Sequence, residues 1–241
     1  MFNLVIMKRT GSLYLALMAL TILMMVLSVT LVSAQTTPAT QTSEDYKDVI
    51  AKRADKIVAA LGSTDAVFNK KVSAIVADQY LALGRIHDER NAKIKAIKTK
   101  DTVLTADDKA AIEKTTADAD KQLEKLHTKY LAKLSKRCTP EQVEGIKNGM
   151  TYNVLNVTFT AYQEMMPNLT ADQKTQILAW LTEAREHAMD AESSEKKHAW
   201  FGKYKGRINN YLAKAGIDMK QAEKEWLQRI HDKKEAAKQS K

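Results

Sequence analysis

Three short stretches of this chain are spelled alike, and they limit what it can fold into: Leu104-Thr105-Ala-Asp-Asp108, Cys138-Thr139-Pro-Glu-Gln142 and Leu169-Thr170-Ala-Asp-Gln173. Each carries a threonine, an acidic residue just after it, and Asp or Gln three positions on. That spacing is the signature of a helix N-terminus. The threonine hydroxyl accepts a backbone N–H of the first turn, and the side chain three residues later reaches back to the cap. Pro140 at the first helical position and the acidic first turns agree with the same reading. Helices therefore start near residues 106, 140 and 171.

Hydrophobic spacing extends helix over almost all of the chain beyond residue 43. Tyr46, Val49, Ile50, Ile57, Val58 and Leu61 recur at three- and four-residue intervals, and Gly62 stops the run. A second helix is predicted from about Asp65 to Lys98, with Val72, Ile75, Val76, Leu83, Ile86, Ile94 and Ile97 on one stripe and Gly84 inside it as a kink or close contact. A third runs from Ala106 to Lys136 on Ile112, Leu123, Leu126, Tyr130 and Leu134. The two are long and charged outside, so they pair as an antiparallel hairpin around residues 99–105. Residues 150–165 mix strand chemistry (Tyr152, Val154, Phe159) with a helical stripe, which predicts an extended entry over 149–154 and then a helix ending before Pro167. Further helices are expected over 171–190, over 194–215 with Gly216 just past the end, and from Met219. The fold class is all-α: a helical bundle with a long antiparallel hairpin followed by shorter C-terminal helices.

The N-terminus reads as an export signal. Lys8 and Arg9 precede an apolar run from Leu13 to Val32, and Val32-Ser33-Ala34 supplies small residues ahead of Gln35. The run is also long enough for a retained anchor, which is the competing reading. Without an anchor, no stable membrane insertion remains. Residues 1–34 are thus assigned to a signal peptide, 35–43 to a disordered Thr/Gln-rich leader, 44–232 to one helical domain and 233–241 to a Lys-rich tail. The expected location is the periplasm or the extracellular space. Cys138 is the only cysteine, so core packing holds the fold without an internal disulfide, and a half-buried inert thiol is the expectation there.

The net charge is +9, or +7 without Lys8 and Arg9. Nucleic acid is not the expected partner of an exported basic protein; acidic polysaccharides, anionic headgroups and cell-wall polymers are. The most ligand-like segment is "HAWFGKYKGRINNYL", from His198 to Leu212. On a helix, Phe201, Tyr204, Ile208 and Leu212 form a core stripe, and Trp200, Lys203, Arg207 and Tyr211 form an edge beside it. Gly202 and Gly206 lie on the other flank, near Lys205. Aromatic faces stack on pyranose rings, and Asn210 with the cations can bond hydroxyls and carboxylates. The plainer reading stays open: the cations support the aromatics within the helix, and the glycines admit a neighbouring helix. On the preceding helix, Trp180, His187 and Asp190 are placed to face His198 and Trp200 across the "DAESSE" turn. The candidate ligand-binding set is Trp180, His187, Asp190, His198, Trp200, Lys203, Lys205, Arg207, Asn210 and Tyr211.

Two resemblances accompany these residues. The three Leu-Thr or Cys-Thr cap sites resemble the L-T-x-x-Q signature of Spy-like periplasmic chaperones, which are small helical cradles. Residues 138–170 and, above all, "AREHAMDA" and "HAWFGKYKGRINNYL" within 169–218 resemble the family called domain of unknown function 3826. That resemblance implies export by polysaccharide-degrading Gram-negative bacteria and sugar binding, and it brings no catalytic residue with it. Motifs for other chemistry are missing: there is no G-x-S-x-G elbow, no H-E-x-x-H and no P-loop. Glu195-x-x-His198 occurs once, where a di-iron bundle needs the unit twice. No metal or other cofactor is called for, and a metal held by His187, Asp190 and His198 is the weaker alternative. The leading expectation is a non-catalytic protein binding acidic carbohydrate in support of polysaccharide use. Its rivals are a Spy-like chaperone, and a polysaccharide lyase or hydrolase centred on His187, Asp190, His198 and Lys203–Arg207.

Overall fold

The computed structural model describes residues 43–98 and 103–239. The signal and leader expectations, and most of the loop joining the long hairpin, lie outside the described residues. Eight helices follow one another among those residues: α1 (Ser43–Ala59), α2 (Ala66–Lys98), α3 (Ala106–Ser135), α4 (Pro140–Met150), α5 (Val154–Met165), α6 (Ala171–Met189), α7 (Ser194–Lys214) and α8 (Met219–Gln239). The all-α expectation holds. None of the eight is long and apolar enough to cross a membrane.

The three cap sites do what their spelling predicts. Thr105, Thr139 and Thr170 each accept from the backbone N–H three residues on, and Asp108, Gln142 and Gln173 each return a bond to the cap backbone. Such reciprocal bonds satisfy two of the orphan donors at a helix start. At the other ends, Gly62 (φ +71°) and Gly216 (φ +83°) take the left-handed conformation that closes a helix at little cost.

The helices bury two hydrophobic cores. In the first, Ile50, Ala54 and Val58 of α1 meet Val72 and Val76 of α2, with Tyr130 and Leu134 of α3 and Ile146 and Met150 of α4. The long hairpin α2–α3 is the frame of this half, and α1 lies along α2. Cys138 belongs to this core, buried rather than half-buried, and burial pushes its thiol up, as an inert cysteine requires. In the second core, Leu155 and Tyr162 of α5 meet Ile177 and Leu181 of α6 and Phe201, Ile208 and Leu212 of α7. Met189, at the end of α6, reaches back into the first core. That helix therefore belongs to both halves.

One place departs from expectation. Residues 151–153 are not extended. Thr151 returns its hydroxyl to Lys147 O (2.9 Å), Asn153 N–H reaches Asn148 O (2.7 Å), and Tyr152 and Asn153 both sit at φ +57°. Helix-end hydrogen bonds win over the strand preference of Tyr and Val, and two non-glycine residues take the strained left-handed region. The Lys-rich stretch after residue 232 continues the last helix, α8, as far as Gln239.

Glycines mark where helices touch. A Cβ on Gly149 would lie 2.9 Å from Ile57 Cγ2, so α4 and α1 are in close contact there, and one on Gly84 would lie 3.2 Å from the Tyr46 hydroxyl. A Cβ on Gly202 or Gly206 would meet nothing within 4 Å. Gly149→Ala is therefore expected to lose about 1–2 kcal/mol, because the branched Ile57 has no free end to swing away. Gly202→Ala should gain roughly 0.5–1 kcal/mol from helix propensity alone. Urea unfolding of the two variants beside the wild type checks the opposite signs.

Candidate functional site

The α6–α7 hairpin folds as the sequence suggests, with a short turn at 190–193 and Ser193 capping α7 through Lys196 N–H (3.2 Å). Its exposed edge is lined by rings and cations. Trp180 meets Tyr211 edge to face (centroids 5.3 Å), and the Arg207 guanidinium lies 4.5 Å over the Trp180 ring. Farther along, His187 stacks on Trp200 at 4.3 Å, and the Lys203 ammonium sits 5.0 Å from the same indole. Such cation–ring contacts hold a long side chain in one orientation.

Between the two helices lies an open hollow of about 580 Å³. Trp180 and Tyr211 are its aromatic wall, and Asn210 contributes an amide. Lys203, Arg207 and Lys214 supply three cations, and Gly206 leaves one side bare. No carboxylate is among its lining residues. Glu183 approaches Arg207 at 3.6 Å from outside, with both side chains about half exposed (49% and 55%), where an ion pair contributes little. The buried Tyr204 hydroxyl is pushed up to about 12, by desolvation first and then by the Glu183 carboxylate.

Of the ten expected residues, five line this hollow: Trp180, Lys203, Arg207, Asn210 and Tyr211. His187 and Trp200 adjoin it through Lys203. The other three are elsewhere. His198 turns the opposite way and stacks on Tyr152 at 5.6 Å. Lys205 is exposed on the flank toward α5, where its carbonyl lies 3.5 Å from the Tyr162 hydroxyl. Asp190 faces the long hairpin, with Oδ2 2.7 Å from His127 Nδ1 and its carbonyl 2.8 Å from His87 Nε2. The triad of His187, Asp190 and His198 is therefore not assembled: Asp190 caps the end of α6 and turns to His127, and His198, two residues before Trp200, lies about 200° around α7 from it. Lys214 escaped the sequence reading, although its position seven residues after Arg207 places it on the same edge.

A second group of polar residues also escaped it. Around the end of α6, Arg185 is 2% exposed and reaches Glu144 (2.8 Å), Asn148 (2.9 Å) and Glu186 (3.1 Å). Lys147 lies 3.1 Å from Glu186 Oε2, and the other imidazole nitrogen of His127 is 3.4 Å from that same oxygen. Lys197, buried, donates to Ala188 O (2.8 Å) and Met189 O (3.1 Å). The sequence signal was a charge set within an apolar stripe: His127 between Leu123 and Tyr130, Arg185 between Leu181 and Ala188, Lys197 ahead of Phe201. Asp190 and Glu186 approach the imidazole from its two different nitrogens, so they do not converge on one point. Among the described residues no set of three His, Cys, Asp or Glu side chains could hold a metal ion.

The network sets its own charges. Contact with Asp190, and then with Glu186, raises His127 from 6.5 to about 9 against partial burial. The Asp190 contact is an ion pair rather than an aligned hydrogen bond, since Nδ1 lacks a hydrogen-bonding partner in spite of the short distance. Burial pushes the Glu186 carboxyl up, but His127, Lys147 and Arg185 outweigh it and bring it down to about 2. Burial takes Lys197 from 10.5 to about 8. For His127 the folded value is raised, so its contribution to stability is complete below 6.5 and is lost as pH rises through about 9. Glu186 contributes above 4.5, and this is lost as pH falls through about 2. His127→Gln should cost about 2 kcal/mol near neutrality, with the deficit narrowing once the pH passes about 9. Urea unfolding of both proteins across that range measures it.

No curated protein matches the chain. A family model described as "Protein of unknown function (DUF3826)" matches residues 47–232, which takes in the hollow, the buried network and every helix but the ends of the first and last. The chain belongs to the DUF3826 family.

Proposed function

We propose that this chain is an exported, non-catalytic protein that binds acidic oligosaccharide in the hollow between α6 and α7, as an accessory to polysaccharide use. One observation carries the reading: three cations, two aromatic side chains and an amide line an open hollow with no carboxylate among them. A volume of about 580 Å³ is in the range of small-ligand sites. Arg207 offers a planar fork for a carboxylate, and Lys203 and Lys214 add point charges. Asn210 can both donate to and accept from hydroxyls. Trp200 already has His187 stacked on it and the Lys203 ammonium over its ring, so this indole serves to hold Lys203. Trp180 is the ring on the hollow itself. The bare flank at Gly206 lets a ligand come close to the helix backbone.

Fluorescence and calorimetric titration with oligogalacturonides, beside neutral oligosaccharides of equal length, tests the proposal. The acidic chains should bind more tightly, and added salt should weaken them. Arg207→Ala and Trp180→Ala are each expected to weaken binding by about tenfold or more with the far-ultraviolet helix signal intact. Gly206→Ala provides a variant that cannot be dismissed as misfolded, since it should raise stability while still weakening binding. Equal affinity for neutral chains, or variants that bind like the wild type, would remove the reading. Release of new reducing ends or unsaturated products would overturn its non-catalytic part.

A further inference from the structure

The hairpin α2–α3 carries a groove that shares no residue with the α6–α7 hollow. Its free volume is about 430 Å³. Ile75, Leu81, Ala82 and Leu126 give it apolar sides. Tyr130 contributes its ring, because its hydroxyl points inward to Met150 Sδ at 3.2 Å. Gln79 also lines the groove, although it is only 3% exposed. Its Nε2 is buried and has no hydrogen-bonding partner. A buried amide donor left unpaired is costly, so a residue kept this way beside the apolar sides of the groove is notable.

Charge narrows the choice of ligand. Arg85, Lys129 and Lys133 stand exposed at the groove against the single carboxylate of Asp78. Among the described residues none of these three cations lies within ion-pair distance of an acid. A solvated surface helix would more often pair such charges along its own length. The groove thus asks for three things together: a hydrocarbon body, negative charge, and an oxygen able to accept from Gln79.

We infer that the α2–α3 groove is a second ligand site, which takes a small organic carboxylate with a compact apolar body. The body fills the space between Ile75, Leu126 and the Tyr130 ring. The carboxylate lies toward Lys129, Lys133 and Arg85, and a rotation of the Gln79 side chain turns Nε2 from its buried position to one carboxylate oxygen. Sugars fit this groove less well than the α6–α7 hollow, since aliphatic side chains, with no indole among them, give it its apolar sides.

Calorimetric titration of the full chain with benzoate and 4-methylpentanoate, each beside its corresponding alcohol, tests the inference. Both carboxylates should saturate with dissociation constants on the order of 0.1–1 mM, and the alcohols should bind about tenfold more weakly or not at all. Gln79→Leu removes the donor and keeps the volume, and should weaken the carboxylates by about tenfold or more. Lys129→Gln with Lys133→Gln, both exposed, should do the same without loss of fold. Arg207→Ala should leave these titrations unchanged, which separates this site from the α6–α7 hollow. Should Gln79→Leu fail to fold, the Gln79 side-chain amide resonance decides: movement on saturation with benzoate supports the site, and a fixed resonance overturns it. Equal binding of the alcohols, loss of binding in Arg207→Ala, or no saturation by either carboxylate also overturns it.

Discussion

The last turn of α6 is the joint on which both halves depend. A helix that ends inside a protein leaves carbonyls without intrahelical partners, and each must find a donor. Here Lys197 of α7 reaches Ala188 and Met189, and His87 of α2 reaches Asp190. Positive groups at a helix C-terminus also meet the negative end of its dipole. Burial works against Lys197, as its lowered value of about 8 records, so the two carbonyls and the Asp190 charge hold it in place against desolvation. The same turn places Met189 in one core and Ala188 in the other. The network around it is therefore a seam that sets how the α6–α7 hairpin meets the long one.

That seam has a consequence for the hollow. With Lys197 drawn inward, the rotation of α7 about its own axis is set. Trp200, Lys203 and Arg207 then fall to one side of the buried stripe at three- and four-residue intervals, toward Trp180 and His187 of α6. A one-residue slip would swing each of these by roughly 100° and disperse them. Buried ion pairs are poor evidence of stability in themselves, and their best-attested use is to fix register. In this protein α7 is tied to α6 by the hydrogen bonds of Lys197 to Ala188 and Met189, in the register that brings the aromatic edge together.

Much of the fold was legible because its signals are local. Thr105, Thr139 and Thr170 announce helix starts within four residues each, and Gly62 and Gly216 announce ends, so helix boundaries could be read from short words. The α6–α7 edge was legible too, because Trp200, Lys203, Arg207 and Tyr211 lie on one helix at a fixed period. What could not be read was partnership at long range. The spacing of Asp190 and His198 allows them to face the edge or turn away, and the choice depends on His127 and Tyr152, which come from α3 and from the turn ahead of α5. The positive φ of Tyr152 runs against its own local preference, and nothing in "MTYNV" requires it. The glycines show the same limit. Gly149 and Gly206 look alike in sequence, yet one lies against Ile57 and the other faces open space.

Two arginines show how one side-chain type divides between structure and recognition. Arg185 is buried among Glu144, Glu186 and Asn148, so most of its donors are already occupied and little of it reaches solvent. Arg207 is about half exposed and has one long contact with Glu183, and its guanidinium lies over the Trp180 ring, a contact that restrains it. A mobile arginine loses rotamer freedom when it grips an anion, at a cost of about 0.5–1.5 kcal/mol. An arginine already held over an indole loses less, and one that is half exposed keeps donors open to solvent. Lys203 over Trp200 repeats the arrangement with a point charge. Under the proposed function the indoles act as supports that prepare cations for an anion, and the hollow would select first for negative charge and only second for ring stacking.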